Sequence, residues 1–190
     1  MMQSEGFGER DEEGFFRAVK EAAEEIMKRD DFVVVFHYDA DGCSAGAIAL
    51  KALEREGKKC KWLCLKQLYK ENIDEIKALG KNYIFVDFGS GQLDYLKQGL
   101  GEDFFIFDHH QPVMHEIKAL DGQSIARKHI DHRHHVNPLL FGINGGTEIS
   151  GAGVAYFFAE ALNKKTRTLR RLPSSAHAAT CRNQAASSPE

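Results

Sequence analysis

The chain has 190 residues, 43% hydrophobic and 28% charged, the composition of a soluble globular protein with one domain of ordinary size. Its formal net charge of −3 is unevenly spread, because six Lys/Arg and only one Glu lie beyond Asn163, leaving 19 basic against 27 acidic residues before it. A body at −8 excludes the broad basic face on which nucleic-acid affinity usually rests.

The longest apolar run near the start, Phe32–Phe36, is too short for a membrane span or the core of a signal peptide. The acidic beginning (Glu9, Asp11, Glu12, Glu13) is also unlike an export signal. Cys43, Cys60, Cys64 and Cys181 contain no CxxC pair, so neither a disulfide framework nor a zinc ribbon is expected. These features predict a cytoplasmic protein with reduced thiols and no membrane partner.

Phe15, Val19, Ala22 and Ile26 recur at helical spacing and predict an amphipathic helix over roughly residues 10–29. Phe32-Val33-Val34-Val35-Phe36 is too continuously apolar for a strand with one wet face, and fits a parallel strand buried on both. A polar turn at Asp39–Gly42 then leads into a helix over Ser44–Glu56, which Gly57 can terminate. The unit repeats, with strands at Cys60–Leu65, Tyr83–Val86 and Phe104–Phe107 and helices at Asn72–Leu79 and Ser90–Leu100, Ser90 serving as N-cap. Alternating strands and helices predict an α/β fold with a doubly wound, mostly parallel sheet. Residues 111–149 read as loops with one short helix near 113–120, and a last helix follows at Ser150–Leu162. Residues 164–190 contain no Val, Ile, Phe, Tyr, Trp or Met. They cannot bury enough apolar surface to offset their ordering entropy and read as a disordered basic tail, giving a domain over 1–163 and a tail over 164–190.

Three polar clusters follow predicted strands at their carboxyl ends: His37-Tyr38-Asp39-Ala40-Asp41-Gly42, Asp87-Phe88-Gly89-Ser90 and Asp108-His109-His110. That edge is where open α/β sheets bind ligands, so the clusters can converge across the 71 residues between Asp39 and His110. Like charges about 4 Å apart cost roughly 4 kcal/mol per pair at an effective dielectric near 20, so such a gathering requires cations. Oxygen-rich ligands with one or two imidazoles suit Mg²⁺ or Mn²⁺. A lone Asp-x-Asp-Gly is ordinarily a turn; it is the combination at three strand ends that points to a shared metal site.

The set His37-x-Asp39-x-Asp41-Gly42, Val86-Asp87-Phe88-Gly89 and Asp108-His109-His110-Gln111-Pro112 resembles the DHH phosphoesterase superfamily. Asn137-Pro138, Phe141–Gly146 and Ser150-Gly151-Ala152-Gly153 look closest to its archaeal RecJ-like exonuclease branch, and the resemblance covers roughly residues 30–163. It implies phosphodiester hydrolysis at a site with two Mn²⁺ or Mg²⁺ ions, acting on single-stranded DNA or RNA. By motif, Asp39 and Asp41 would bind one metal each, Asp87 would bridge, and His109 would ligate the second, with His37 as a further ligand. His110 would contact the phosphate or assist the leaving oxygen, and Asp108 would orient a histidine. The glycine-rich run before the last helix, with Ser150 and Gly151, is a candidate for presenting N–H groups to phosphate. Two departures are visible. No Asp occurs after Asp131 to supply the family's fourth metal motif, and the chain is too short for the family's C-terminal substrate domain, as in a truncated or frame-shifted end.

Other readings fit less of the chain. An EF-hand beginning at Asp39 would need Asp or Asn where Cys43 stands and Glu where Leu50 stands. A haloacid-dehalogenase-type phosphatase would use Asp39 as nucleophile but leaves Asp108-His109-His110 unexplained. No P-loop lysine or GxGxxG fingerprint is present. His129, His132, His134 and His135 match no standard zinc spacing and read as a solvated loop, while Cys60 and Cys64 read as small core residues. Small-molecule phosphodiesterase or pyrophosphatase activity remains an alternative, as does a catalytically inactive scaffold that keeps the fold and binds replication or repair proteins.

Overall fold

In the computed structural model, residues 9–118 and 125–163 are described, the stretches 115–118 and 125–128 by backbone alone. The 164–190 tail lies outside the described residues. Five strands form an all-parallel sheet in the order β2-β1-β3-β4-β7: β1 (Phe32–His37), β2 (Cys60–Leu65), β3 (Asn82–Val86), β4 (Phe104–Phe107) and β7 (His135–Val136). Helices α1 (Glu12–Met27), α2 (Ala40–Arg55) and α5 (Gly151–Leu162) cover one face, and α3 (Asn72–Leu79) and α4 (Leu93–Leu100) the other. β5 (Met114–Lys118) and β6 (Ile125–His129) pair antiparallel as a separate hairpin.

The alternation of each strand explains the two layers. Phe32, Val34 and Phe36 pack with Phe15, Ala49, Leu53 and Val154, whereas Val33 and Val35 pack with Ile73, Ile76, Phe85 and Leu96. All five of β1's apolar residues are buried, as expected of a central parallel strand. β1 continues to β2 on one side and pairs with β3 on the other, so the chain reverses direction of winding between β1 and β3. Crevices at such reversals, beyond the strands' carboxyl ends, are where doubly wound sheets place ligands.

Several expectations are corrected. The Asp39–Gly42 segment is the start of α2, with Asp39 as N-cap accepting from Gly42 N at 2.8 Å, because Asp is as good a cap as a turn former. Ser90 is no N-cap: it begins a single 3-10 turn, Ser90–Gln92, ahead of α4. Over the described part of the helix expected near 113–120, Met114–Lys118 is a strand, because pairing with Ile125–His129 satisfies its backbone. Cys60 and Cys64 are half-buried, since β2 is the sheet's edge and Trp62 between them is 60% exposed.

The histidine-rich segment is not a solvated loop. His135 enters β7, and His132 and His134 stack on Phe104 and Phe105 with ring centroids 4.2 and 4.5 Å apart. Burial, with the charges of Arg133, His132 and Arg29 adding to it, holds His134 down at about 4. The unfolded chain therefore takes up this proton first, near pH 6.5, and stability falls as pH drops from about 6.5 to about 4. In His134→Gln the slope of unfolding free energy against pH across that window should flatten by up to about one proton, measured by denaturant titration. In the core under α1, α2 and α5, Phe158 of α5 stacks on Phe107 at 4.3 Å, both fully buried. Phe158→Ala should cost about 3–5 kcal/mol with an unchanged denaturant m-value.

Candidate metal centre

Three strand ends deliver the acids and imidazoles. His37 is the last residue of β1, Asp39 and Asp41 lie at the N-cap and first turn of α2, Asp87 follows β3, and Asp108-His109-His110 follow β4. The sheet's parallel register sets these ends side by side: Phe36 pairs with Val86, and Val86 with Phe107.

Asp87 is at the centre. It is 1% exposed, and its backbone takes φ +61°, a left-handed conformation that a non-glycine residue adopts only where its surroundings enforce it. His37 Nδ1 lies 3.8 Å from Asp87 Oδ2 and 3.2 Å from Asp39 Oδ2. His109 Nε2 lies 3.1 Å from Asp87 Oδ1 and 3.5 Å from Asp41 Oδ2. Each imidazole is turned by its other nitrogen: His37 Nε2 donates to the Lys66 carbonyl at 3.0 Å, and His109 Nδ1 to the Gly145 carbonyl at 2.6 Å. Since a carbonyl only accepts, those nitrogens carry protons, and in the neutral imidazoles the opposite nitrogens turn their lone pairs to the carboxylates. Burial opposes protonation of His109, but Asp87 and the Gly145 carbonyl hold it above the ordinary imidazole range. His37 Nδ1, His109 Nε2 and both oxygens of Asp87 are buried without a hydrogen-bond partner. Burial pushes the Asp87 carboxyl above its ordinary range, with the Asp41 and Asp108 charges adding and His109 opposing.

Two ligand sets emerge, His37 with Asp39 and Asp87, and Asp87 with His109 and His110, each with ligand atoms within 4.8 Å of one another. Both contain Asp87. Asp41 stands beside the second set and receives N–H bonds from the start of α5, Gly151 to Oδ2 at 2.8 Å and Ala152 to Oδ1 at 2.9 Å. The N-terminus of α5 thus neutralises an acid of this chain. Ser150 caps the same helix through Gly153 N at 3.2 Å. The donor set, carboxylate oxygens and imidazole nitrogens with unpaired buried atoms, fits a hard or borderline divalent cation.

Asp108 has the opposite surroundings. Fully buried, it accepts at Oδ1 from His109 N, His110 N and His110 Nδ1 (2.7, 3.2 and 2.8 Å) and at Oδ2 from Ser90 N at 3.0 Å. Burial alone would raise its carboxyl, but His110 and Ser90 hold it well below the usual range. Reciprocally, the Asp108 bond pushes His110 up to about 9. Asp108 thus holds the His110 ring and the backbone around it. The sequence reading missed the layer behind it. Ser90 Oγ meets His135 Nε2 at 2.8 Å and accepts from Asn137 Nδ2 at 2.9 Å, and Asn137 Nδ2 also donates to the His110 carbonyl at 2.8 Å. A Ser, a His and an Asn separated by up to 47 positions leave no local pattern.

Comparisons with known proteins give the family and the fold. The sequence matches the DHH family, N-terminal domain, over residues 31–181, and the chain belongs to that family. An uncharacterised protein of Methanocaldococcus jannaschii, MJ0831, is 31% identical over 149 residues, 75% of this chain. The chain spans about a third (32%) of that relative's length. Among solved structures, the exonuclease RecJ bound to manganese superposes with TM-score 0.55 at 21% identity, over 91% of this chain and 41% of its own. RecJ from Thermus thermophilus in complex with Mn²⁺ gives 0.57 at 21% identity, over 86% of this chain and 23% of its own. The DHH domain of PF0399, described as a member of the s1p family of ribosomal proteins, gives 0.59 at 19% identity, over 87% and 44%. These structural likenesses establish the fold, an α/β fold shared with RecJ and the PF0399 DHH domain. No helix among the described residues is long and apolar enough to cross a membrane.

Gly151 is the tightest point of the site, because a Cβ there would run into the Asp87 carboxylate. Gly151→Ala should destabilise the chelator-treated protein by about 1–3 kcal/mol in thermal or denaturant unfolding, through displacement of α5 from Asp87.

Proposed function

We propose that this domain binds two divalent cations, Mn²⁺ or Mg²⁺, and hydrolyses phosphodiesters of single-stranded DNA or RNA. One observation carries the reading: four ligand atoms, on His37, Asp87 and His109, converge in a buried space with no partner among themselves or their neighbours. Buried polar atoms are otherwise almost always paired, and unpaired carboxylates beside lone-pair nitrogens are destabilising unless a cation joins them.

His37 and Asp39 would hold one ion, His109 and Asp41 the other, with Asp87 shared between them. Two ions so placed supply a hydroxide at neutral pH and stabilise the charge on the attacked phosphoryl group. The chain's own residues do the rest. The Lys66 and Gly145 carbonyls keep the His37 and His109 lone pairs aimed inward. The His110 side chain is half exposed at the rim with Nδ1 engaged by Asp108, so Nε2 is the atom free to meet a phosphate oxygen. Raised to about 9, this imidazole is cationic at neutral pH and suited to binding an anion or donating a proton to a departing oxygen. Ser150 and Gly151 would contribute by fixing the start of α5 against Asp41. The nucleic-acid substrate is supported by one fold neighbour, which is named an exonuclease.

Asp87→Asn separates this reading from a purely structural one. In chelator the substitution removes a buried charge facing other acids, so the melting temperature should hold or rise. Mn²⁺ at 100 times its Kd should stabilise the wild type by about 2.7 kcal/mol and leave Asp87→Asn unmoved. Metal-dependent hydrolysis of bis-p-nitrophenyl phosphate should fall at least about 100-fold in the variant. Equal Mn²⁺ shifts in both proteins would defeat the assignment. A wild-type shift without turnover would favour the inactive scaffold.

A further inference from the structure

The first turn of α2 carries a second chemistry beside its acids. Phe36 of β1 pairs with Cys64 of β2, so Cys64 projects to the same face of the sheet as Phe36, the face that α2 covers. α2 lies close against that face, for a Cβ on Gly46 would collide with the Phe36 ring. Cys43, one turn earlier on the same side of α2, donates its thiol to the Tyr38 carbonyl at 3.3 Å. Tyr38 N in turn is bonded to the carbonyl of Leu65, the neighbour of Cys64. At this corner burial pushes the Cys64 thiol up, and the neighbouring Cys43 adds to the rise. Cys43 is exposed and Cys64 half-buried, so small oxidants reach the pair through Cys43.

Cys60 is excluded as a partner for Cys64. Four residues apart on one strand, the two are about 13 Å apart, whereas a disulfide joins Cα atoms no more than about 7 Å apart.

We propose that Cys43 and Cys64 are a dithiol modification site that a peroxide closes to a reversible disulfide. The sulfur of Cys43 attacks hydrogen peroxide; the O–O bond breaks, one water leaves, and Cys43 becomes the sulfenic acid. The sulfur of Cys64 then displaces that hydroxyl; the S–S bond forms, the S–O bond breaks, and a second water leaves. The two thiols lose two protons and two electrons, and the peroxide is reduced to two waters. The bridge ties the turn bearing Asp39 and Asp41 to the edge strand. Its formation needs neither a bound cation nor a substrate, so it stands or falls separately from the hydrolytic reading.

The test treats the metal-free full chain with hydrogen peroxide, then counts free thiols with iodoacetamide and maps the cross-linked peptides. The four thiols of the chain should fall to two, with the peptides of Cys43 and Cys64 joined, and dithiothreitol should restore all four. Cys43→Ser and Cys64→Ser, each expected to fold because a hydroxyl replaces a thiol in a half-open corner, should give no bridge within the chain. Four thiols surviving peroxide, or a bridge that uses Cys60 or Cys181 or joins two molecules, would overturn the proposal.

Discussion

The structure turns on the mutual repulsion of unpaired electron pairs around one buried carboxylate. Asp87 offers two oxygens to His37 and His109, whose facing nitrogens are lone pairs because their protons are held by the Lys66 and Gly145 carbonyls. Only His109 eases the arrangement, opposing the rise that burial gives the Asp87 carboxyl. A proton or a cation must lie between the groups, and the surrounding fold is shaped to keep that demand unmet by the protein itself. The backbone of Asp87 is held left-handed, and α5 is pressed against it at a glycine.

Asp87 and Asp108 show how environment divides the work of identical side chains. Both are buried at the ends of neighbouring strands. Asp108 receives four N–H donors and is stabilised as an anion, with nothing left to offer a ligand. Asp87 receives none, and its anion is disfavoured until something positive arrives. Two acids whose surroundings push them in opposite directions mark the usual separation of a group that acts from one that positions. Ser90, His135 and Asn137 extend the positioning side, securing Asp108 and His110 from behind.

The strands and helices that carry the acids were legible because continuous β-branched and aromatic runs alternate with helical periodicity, and both signals are local. Asp39, Asp41, Asp87, Asp108, His109 and His110 were legible for the same reason, each lying directly after a strand. What escaped was whatever depends on distant partners. The hairpin at Met114–Lys118 and Ile125–His129 exists by pairing, since neither segment has a strong preference of its own. His134 and His135 look like solvated polar residues until Phe105 and Ser90 are placed beside them. Ser90 has the composition of a helix cap, but its N–H is claimed by Asp108, eighteen positions away. In each case a tertiary bond overrode a local preference.

Gly151 N to Asp41 Oδ2 spans 110 positions. The acids of α2 are laid down early in the sequence, yet the amides that offset one of them, and the glycine that makes room for Asp87, arrive only with the last described helix. Until α5 docks through Val154, Ala155 and Phe158, Asp41 and Asp87 confront each other with only the start of α2 to offset their charge. Burial of the α5 apolar face therefore drives the site together against its own electrostatics. Hydrophobic area is spent holding an unfavourable arrangement of charge, and that is the condition under which a metal-binding cleft can be preorganised before its metal arrives.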